Sequence, residues 1–233
     1  MGRLFIRGDT HGNFNFLPYF CQTYNTTVED TLVVLGDAGI NYYLNKTDRK
    51  LKEWIKKQPI TLFCVHGNHE ERPENIKSYK SVYLTKYGCK CWYEEEYPNI
   101  LFPHNGVAII NNKRFLVIGG AYSIDKHYRL ERGYAWFESE QLTEVEKKEI
   151  LSTIKRNISF DYILTHTAPL NHEPTYLFLD FVDQSTVDKS MEIFLQEVCD
   201  STRFDYWCYG HYHSDRDFGD GFKLYYHAVE EIL

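Results

Sequence analysis

Residues 3–12 read RLFIRGDTHG, a short apolar segment that runs directly into a polar loop containing glycine. The same pattern recurs in residues 31–37 (TLVVLGD) and in residues 60–70 (ITLFCVHGNHE). Short apolar runs that end in glycine and polar residues are typical of buried β-strands that lead into loops. The first third of the chain therefore predicts three strands, each followed by a polar loop.

A helix is predicted between the second and third of these strands. Leu51, Trp54 and Ile55 recur at the spacing of one helix face, and we assign the lysines around Trp54 to the exposed face. Alternation of strand, helix and strand predicts parallel strands, and ligands bind at the carboxyl ends of such strands. The three polar loops are therefore expected to be neighbours.

The rest of the chain adds further strands and helices. Residues 107–118 predict a hairpin, because two apolar runs flank an Asn-Asn turn. Apolar residues at helical spacing predict one helix after Ser139 that continues through Arg156, and another over residues 184–200. Three short strands are also predicted, at Tyr162–Leu164, Tyr206–Tyr209 and Lys223–His227. Since no repeat, low-complexity tract or linker divides these elements, residues 1–233 are expected to form a single domain.

The composition is that of a globular protein with no general attraction to polyanions. The 233 residues are 43% hydrophobic and 25% charged, with a formal net charge of −7. Such a charge disfavours nonspecific binding to nucleic acid or to an anionic membrane, so nucleic acid is expected only as a substrate. No segment has the features of a signal peptide or of a membrane-spanning helix, so a cytoplasmic location is expected. The six cysteines contain no CxxC pair and are expected to be reduced thiols.

The polar loops are rich in residue types that ligate metals. They contain Asp9, His11, Asp37, Asn68, His69, His166, His211 and His213. Carboxylates, imidazoles and an amide oxygen together suit manganese, iron or zinc, whereas calcium sites consist almost wholly of oxygen ligands. A single ion would leave several of these groups unused. Two ions need a bridging group, and the two oxygens of a carboxylate can provide one, so Asp37 is the candidate bridge.

The order of these motifs resembles the calcineurin-like metallophosphoesterase superfamily. The matching segments are residues 8–12 (GDTHG), 36–37 (GD), 67–70 (GNHE), His166 within THTAP, and 210–213 (GHYH). The resemblance implies an α/β fold (α+β in some schemes) with four α-β-β-α layers, in which two mixed β-sheets pack face to face with helices outside. It also implies a metallophosphoesterase that hydrolyses a phosphate monoester or diester by attack of a hydroxide bridging two divalent metal ions.

The resemblance further implies a role for each candidate residue. One metal ion would be held by Asp9, His11, Asp37 and His213, and the other by Asp37, Asn68, His166 and His211. The catalytic residues would be Asp37, as the bridge, and His69, which would stay off the metals and assist the leaving group. An imidazole near a cationic centre can donate a proton or a hydrogen bond to an oxygen on which charge develops, which supports this role of His69.

The second motif departs from one branch of the superfamily. Residues 36–41 read GDAGIN, whereas protein serine/threonine phosphatases extend this motif with a further Asp and a phosphate-binding Arg. The terminal GHYH looks more like the phosphodiesterase branch. A small phosphate ester or a nucleotide is therefore the favoured substrate, and a phosphoprotein ranks lower. Arg129 or Arg132 could replace the missing clamp, because a guanidinium forms bidentate bonds to phosphate; a solvated loop is the alternative.

Structural explanations compete with this hypothesis. A glycine–aspartate pair after a strand is usually a turn. The GHYH motif is harder to explain in that way, because alternation points both imidazoles to the same side and a core seldom holds two such polar groups together. The main rival to an enzyme is a non-catalytic metal-binding scaffold with the same fold. A decayed site would be expected to lose a ligand or His69, and none is missing here.

Overall fold

The computed structural model describes residues 2–155 and 159–233. Within this part of the chain the strands are β1 (Leu4–Arg7), β2 (Thr31–Val34), β3 (Thr61–Cys64), β4 (Lys80–Leu84), β5 (Cys89–Tyr93), β6 (Ile100–Pro103), β7 (Gly106–Ile110), β8 (Lys113–Ile118), β9 (Ser159–Thr165), β10 (Arg203–Tyr209), β11 (Arg216–Asp217), β12 (Phe222–Leu224) and β13 (Glu230–Glu231). The α-helices are α1 (Leu17–Tyr24), α2 (Lys46–Ile55), α3 (Lys126–Arg132), α4 (Glu144–Ile154) and α5 (Ser190–Ser201).

The strands form two mixed sheets. The first has the spatial order β13-β1-β2-β3-β6-β5-β4, and the second has the order β11-β12-β10-β9-β8-β7. Strands β1, β2 and β3 are parallel neighbours, as are β8, β9 and β10 in the other sheet. The prediction of parallel strands in the first third of the chain is therefore confirmed. Each sheet presents the carboxyl ends of several adjacent strands along one edge.

Side-chain alternation along the strands separates three hydrophobic cores. Leu4 and Ile6 of β1 face a core to which both sheets contribute. Phe5, which lies between them, points to the opposite face and packs with residues of α1 and α2. On the outer face of the second sheet, α4 and α5 cover the fully buried Trp207. The molecule is a four-layer α-β-β-α sandwich, which confirms the predicted fold class.

Strands β7 and β8 form the predicted hairpin. They pair in antiparallel register from Gly106 opposite Val117 to Ile110 opposite Lys113. The two turn residues, Asn111 and Asn112, have φ angles of 51° and 62°. A two-residue turn of this kind requires positive φ at both positions, and asparagine tolerates it better than most residues do.

The helix predicted after Ser139 begins later than expected. Ser139 lies in a 3₁₀ turn, and α4 starts only at Glu144. Thr143 caps this helix, because its N–H donates to Glu146 Oε2 (2.7 Å) while its hydroxyl accepts from the Glu146 N–H (3.3 Å). This capping box fixes the start of the helix. Arg156, the predicted last residue, lies outside the described residues.

The helix predicted from Gln184 also begins later, at Ser190. Two aspartates reshape the segment before it. Asp183 Oδ1 accepts from the Ser185 N–H (2.9 Å), and Asp188 Oδ1 accepts from the Ser190 N–H (2.8 Å). Such side-chain bonds to the backbone compete with a regular helix, so residues 184–186 form a 3₁₀ turn instead.

The prediction of a strand that continues through His227 was wrong for its last residues. Strand β12 ends at Leu224. Beyond it, the Asp215 carboxylate accepts hydrogen bonds from the backbone N–H groups of Tyr226 (2.6 Å) and His227 (3.0 Å). The backbone groups that a longer strand would have paired are therefore satisfied by one side chain.

The assignment of the lysines around Trp54 to an exposed face was wrong for Lys52. Its side chain is buried, and its Nζ donates to Glu94 Oε2 at 2.6 Å. The six cysteines are free thiols, and Cys89 and Cys91 are buried on β5. No helix within residues 2–155 or 159–233 combines the length and the apolar character needed to cross a membrane.

Candidate metal centre

Five loops converge where the parallel strands of the two sheets end. The residues that the sequence singled out are Asp9 and His11 after β1, Asp37 after β2, Asn68 and His69 after β3, His166 after β9, and His211 and His213 after β10. Backbone hydrogen bonds join the loops, from His11 N to Asp37 O (2.8 Å) and from Gly210 N to His166 O (2.9 Å). The structure brings all eight residues to one region.

The backbone of this region adopts conformations that most residues avoid. Left-handed φ angles occur at four of the predicted ligands: His11 (46°), Asp37 (47°), His211 (69°) and His213 (50°). Such conformations cost free energy and cluster at functional sites, where the surrounding structure imposes them. Gly36, next to Asp37, also has a positive φ of 89°, and a Cβ at this position would overlap the His166 ring. Only glycine lets the two loops approach this closely.

His166 and Asn68 are held in fixed orientations beside Asp37. His166 Nδ1 donates to Leu35 O (2.7 Å), so the neutral ring carries its lone pair on Nε2. That Nε2 lies 3.5 Å from Asp37 Oδ1 and 2.8 Å from Asn68 Oδ1. Asn68 Nδ2 donates to Ser123 Oγ (2.8 Å), which leaves its Oδ1 facing His166. Three electron-pair donors therefore point toward one another, an arrangement that suits a cation between them.

Asp9 gathers the histidines of the first and last motifs. His213 Nε2 lies 3.3 Å and His11 Nε2 3.8 Å from Asp9 Oδ2, and the two Nε2 atoms are 2.9 Å apart. The backbone N–H of His211 donates to the other carboxylate oxygen (2.9 Å). Asp9 Oδ2 is buried and has no hydrogen-bond partner among the described residues. A buried carboxylate oxygen without a partner is costly unless a cation neutralises it.

The distances and the charges of the cluster fit divalent metal ions. Ligand atoms lie within 4.8 Å of one another in three groups: Asp9, His11 and His213; Asp9, Asp37 and His166; and His11, Asp37 and His69. Burial alone would raise the pKa of Asp37, but the nearby histidines, His166 first, lower it well below its usual range. Burial lowers the pKa of His166, but Asp37 and Asp9 outweigh it and raise that pKa to about 9. The pocket therefore stabilises positive charge.

His69 lies at the edge of this cluster, next to Arg129. Its ring centroid is 5.5 Å from that of His11, and its backbone N–H donates to Asp37 Oδ1 (2.7 Å). On its other side, Arg129 Nη2 lies 2.6 Å from His69 Nδ1. Burial lowers the pKa of His69, Asp37 opposes this shift, and Arg129 reinforces it. One ring nitrogen is thus engaged by a guanidinium, which leaves Nε2 for other contacts.

The segment that carries Arg129 and Arg132, which was predicted to be a loop, forms the helix α3. Arg129 donates to Asp125 Oδ2 (2.7 Å), Tyr42 OH (3.0 Å) and Ala135 O (3.2 Å), in addition to His69. Arg132 is exposed, and its guanidinium lies over the Tyr128 ring. Within the described residues, the structure brings Arg129 but not Arg132 into contact with a member of the cluster. Phosphate binding by either arginine stays a prediction.

The sequence did not predict two residues that support the cluster. Ser123, which orients Asn68, is buried in the loop after β8, and nothing in the local sequence marks it. Glu70 is fully buried behind Asp37, and the Ala38 N–H donates to its Oε1 (3.3 Å). Burial and the charge of Asp37 raise the pKa of Glu70 to about 8. Its place at the end of the GNHE motif was the one available signal.

A cleft of about 450 Å³ adjoins the cluster on the side of His69. It is lined by His11, Gly12, Gly39, Tyr42, Tyr43, Thr47, Asp48, Leu51, His69 and Arg129. The Tyr43 side chain is exposed, and Tyr42 is anchored by Arg129. The cleft provides an aromatic and partly apolar surface next to the imidazole of His69.

The chain is similar to solved structures of other proteins. No curated protein sequence matches the chain. One solved structure is 14% identical over 97% of this chain and 90% of its own, with a TM-score of 0.50, which reflects the fold alone. A phosphopantetheinyl hydrolase from Mycobacterium tuberculosis is 11% identical over 97% of this chain and 88% of its own, with a TM-score of 0.47. A protein of unknown function from Aquifex aeolicus is 15% identical over 74% of this chain and 82% of its own, with a TM-score of 0.35.

The family comparison spans nearly the whole chain. A model described as calcineurin-like phosphoesterase matches residues 2–215, a range that contains all five motifs. The two mixed sheets and the loops at their strand ends are the architecture that the motif order implied. The chain therefore belongs to the calcineurin-like phosphoesterase family.

Proposed function

We propose that this chain hydrolyses phosphate esters at a pair of divalent metal ions bridged by Asp37. The family supports metal-dependent phosphoester hydrolysis in general, and the ion pair and the bridge are our additions. The observation that carries the proposal is the position of Asp37. Its Oδ1 lies 3.5 Å from His166 Nε2, its Oδ2 lies 3.9 Å from His11 Nδ1, and its carboxylate is kept ionised. A carboxylate with neighbours on both sides suits a bridge.

The remaining ligands are proposed to divide between the two ions. One ion would be held by Asp9, His11, Asp37 and His213, and the other by Asp37, Asn68, His166 and His211. Manganese, iron or zinc suits this mixture of oxygen and nitrogen ligands. When bound, such ions polarise phosphoryl oxygens and lower the pKa of a bound water toward neutrality.

The protein itself would orient the ester and stabilise the leaving group. His69 Nε2 is free of the Arg129 contact, so it can donate a hydrogen bond to the oxygen that leaves phosphorus. The cleft lined by Tyr42, Tyr43 and Leu51 begins at His69 and has room for the organic part of a small ester or nucleotide. We favour such a substrate over a phosphoprotein, in keeping with the phosphodiesterase-like GHYH motif.

The test combines metal loading with a bridge variant. The purified protein is stripped with chelator, reloaded with manganese, zinc or iron separately, and assayed on para-nitrophenyl phosphate and on bis(para-nitrophenyl) phosphate. We expect turnover to return with metal and to fall more than about 100-fold in Asp37→Asn, beyond the loss of a supporting partner. Asp161→Asn is the matched control, because Asp161 lies on the second sheet and pairs there with Lys113.

Three outcomes would contradict the proposal. If the protein binds metal but hydrolyses neither ester, the non-catalytic scaffold becomes the better explanation. If Asp37→Asn turns over normally while retaining its fold by circular dichroism, the bridge is misassigned. Metal analysis of the wild type completes the test, since a plateau at one ion per chain would exclude the pair.

A further inference from the structure

The contact between Arg129 and His69 fixes which ring nitrogen can carry a proton. A guanidinium has five N–H donors, has no acceptor and stays charged in proteins. At 2.6 Å from Arg129 Nη2, the Nδ1 of His69 must therefore accept the hydrogen bond with its lone pair. A neutral imidazole that accepts at Nδ1 carries its proton on Nε2. If the ring were doubly protonated, the N–H at Nδ1 and the N–H of Arg129 would be two donors facing each other.

Arg129 is not free to leave this position. Its Nε donates to Asp125, and its Nη1 donates to both Tyr42 OH and Ala135 O, so four of its five donors are engaged once His69 is included. Helix α3 has no buried residue of its own, so these bonds fasten it to the site. An arginine held in this way is poorly placed to grip a phosphate with two donors, which separates its role from that of a clamp.

We propose that Arg129 is a positioning residue that holds His69 as a neutral hydrogen-bond donor, and that the enzyme therefore acts on phosphate esters and anhydrides whose leaving oxygen is weakly basic. Phenols and phosphates are leaving groups of this kind, whereas alkyl alcohols are not. The tautomer follows from the geometry alone. The substrate class rests on the proposed function as well.

The bond changes explain the link between the tautomer and the substrate. The oxygen of a water molecule bonds to phosphorus and one proton of that water passes to solvent, while the bond from phosphorus to the leaving oxygen breaks and the leaving oxygen keeps the electron pair. His69 donates a hydrogen bond from Nε2 and keeps its proton, because losing it would create an imidazolate beside Asp37. The leaving group departs as an anion and takes a proton from solvent after release. A phenolate or a phosphate departs readily in this way, and an alkoxide does not.

The first test reads the tautomer without metal or turnover. Metal-free protein with ¹⁵N-labelled histidine is examined by long-range ¹H–¹⁵N correlation spectra, and the His69 signals are identified by their loss in His69→Gln. We expect a single neutral tautomer with the proton on Nε2. Arg129→Met should populate both tautomers, whereas Lys126→Met, which removes a charge from the same helix, should leave the pattern unchanged. A proton on Nδ1 in the wild type overturns the proposal.

The second test uses leaving groups of different basicity. For the metal-loaded wild type, aryl phosphates should turn over at least about 100-fold faster than alkyl phosphates, since general acid catalysis of the alkyl esters is absent. Arg129→Met should lower kcat for para-nitrophenyl phosphate about 10–100-fold, as expected for an outer supporting partner, with KM unchanged. A rise in KM at constant kcat would identify a phosphate clamp instead. Equal rates for aryl and alkyl esters would overturn the substrate class.

The two tests separate failure of this inference from failure of the proposed function. If no ester is hydrolysed under any metal condition, the proposed function and the substrate class are both wrong, and the NMR spectra still decide the role of Arg129. If esters are hydrolysed but the proton of His69 lies on Nδ1, the proposed function stands and the positioning role is wrong.

Discussion

The two halves of the ligand cluster differ in how firmly the protein holds them. In the buried half, formed by Asp37, Asn68, His166 and His211, the Leu35 carbonyl and the Ser123 hydroxyl orient the ligands. In the open half, formed by Asp9, His11 and His213, the two histidine side chains are 34% and 50% exposed, and their nearest polar contact is each other. Ligands that are oriented in advance bind a metal more tightly. We therefore expect the buried half to hold the tighter of the two proposed ions.

The largest expected difference is in metal content after removal of one histidine from each half. His213→Gln should lose the more weakly held ion and retain about one per chain after dialysis against a mild chelator. His166→Gln should retain less than this, because it removes a ligand that is fully buried beside Asp37. Elemental analysis measures both variants, and circular dichroism checks their fold. Equal retention by the two variants would mean that the halves do not differ.

A second prediction concerns the backbone that makes the buried half compact. Gly36→Ala should destabilise the protein by about 2–5 kcal/mol, because alanine is strained at positive φ by about 1–2 kcal/mol and its Cβ overlaps His166. Gly133→Ala is the matched control, since Gly133 has a φ of 68° and open space around it. That variant should show only the backbone strain, about 1–2 kcal/mol.

Urea denaturation of both glycine variants measures these free energies. A Gly36→Ala protein no less stable than Gly133→Ala would show that His166 can move away without cost. The close packing of the buried half would then be looser than the hydrogen bonds of His166 indicate.

The convergence of the candidate ligands could be predicted from the sequence because each one is attached to the end of a strand. Asp9, Asp37 and Asn68 follow apolar runs that must be buried, and parallel pairing then brings the loops together. The hairpin at residues 107–118 was predictable for a similar reason, since its turn is encoded by two adjacent asparagines. Local pattern and fold agree at these places.

The supports of the site could not be predicted, because their partners are distant in the sequence. Ser123 lies 55 residues from Asn68, and Arg129 lies 60 residues from His69. Whether such side chains meet depends on the path of a loop, which hydrophobic periodicity does not determine. The burial of Lys52 could not be predicted for the same reason, since its partner Glu94 lies 42 residues away in the sequence.

A third prediction uses a buried carboxylate behind the buried half. Thr167, next to His166, donates from its hydroxyl to Glu192 Oε1 (2.8 Å). Burial raises the pKa of Glu192 to about 7, with Glu173 adding to the shift and Thr167 and Lys189 opposing it. The folded protein therefore holds this proton more tightly than the unfolded chain, where the pKa is about 4.3. The contribution of Glu192 to stability accordingly falls as the pH rises from about 4.3 to about 7, and is constant above that range.

Glu192→Gln should remove this loss of stability at higher pH. The variant and the wild type are expected to be equally stable at pH 4, and the variant should be more stable at pH 8 by on the order of 3 kcal/mol. Urea denaturation of metal-free protein across this range gives the difference, and ionisations shared by both proteins cancel in it. A difference that does not change with pH would show that the pKa of Glu192 in the folded protein equals its value in the unfolded chain.

The smallest expected effect compares one support from each half. Ser123→Ala removes the acceptor of Asn68 Nδ2, so the amide is free to rotate, and metal affinity should fall about 10–100-fold. In the open half, the Tyr226 ring stacks on His213 with centroids 4.8 Å apart, a contact that does not fix either ring nitrogen. Tyr226→Phe keeps that ring and should change affinity less than about threefold, below the range for an outer hydrogen-bond partner. Titration of metal-free protein with zinc measures both variants. If Tyr226→Phe weakened zinc binding more than Ser123→Ala, hydrogen-bonded support would not explain the difference between the halves. The difference in exposure of their side chains would then be the remaining explanation.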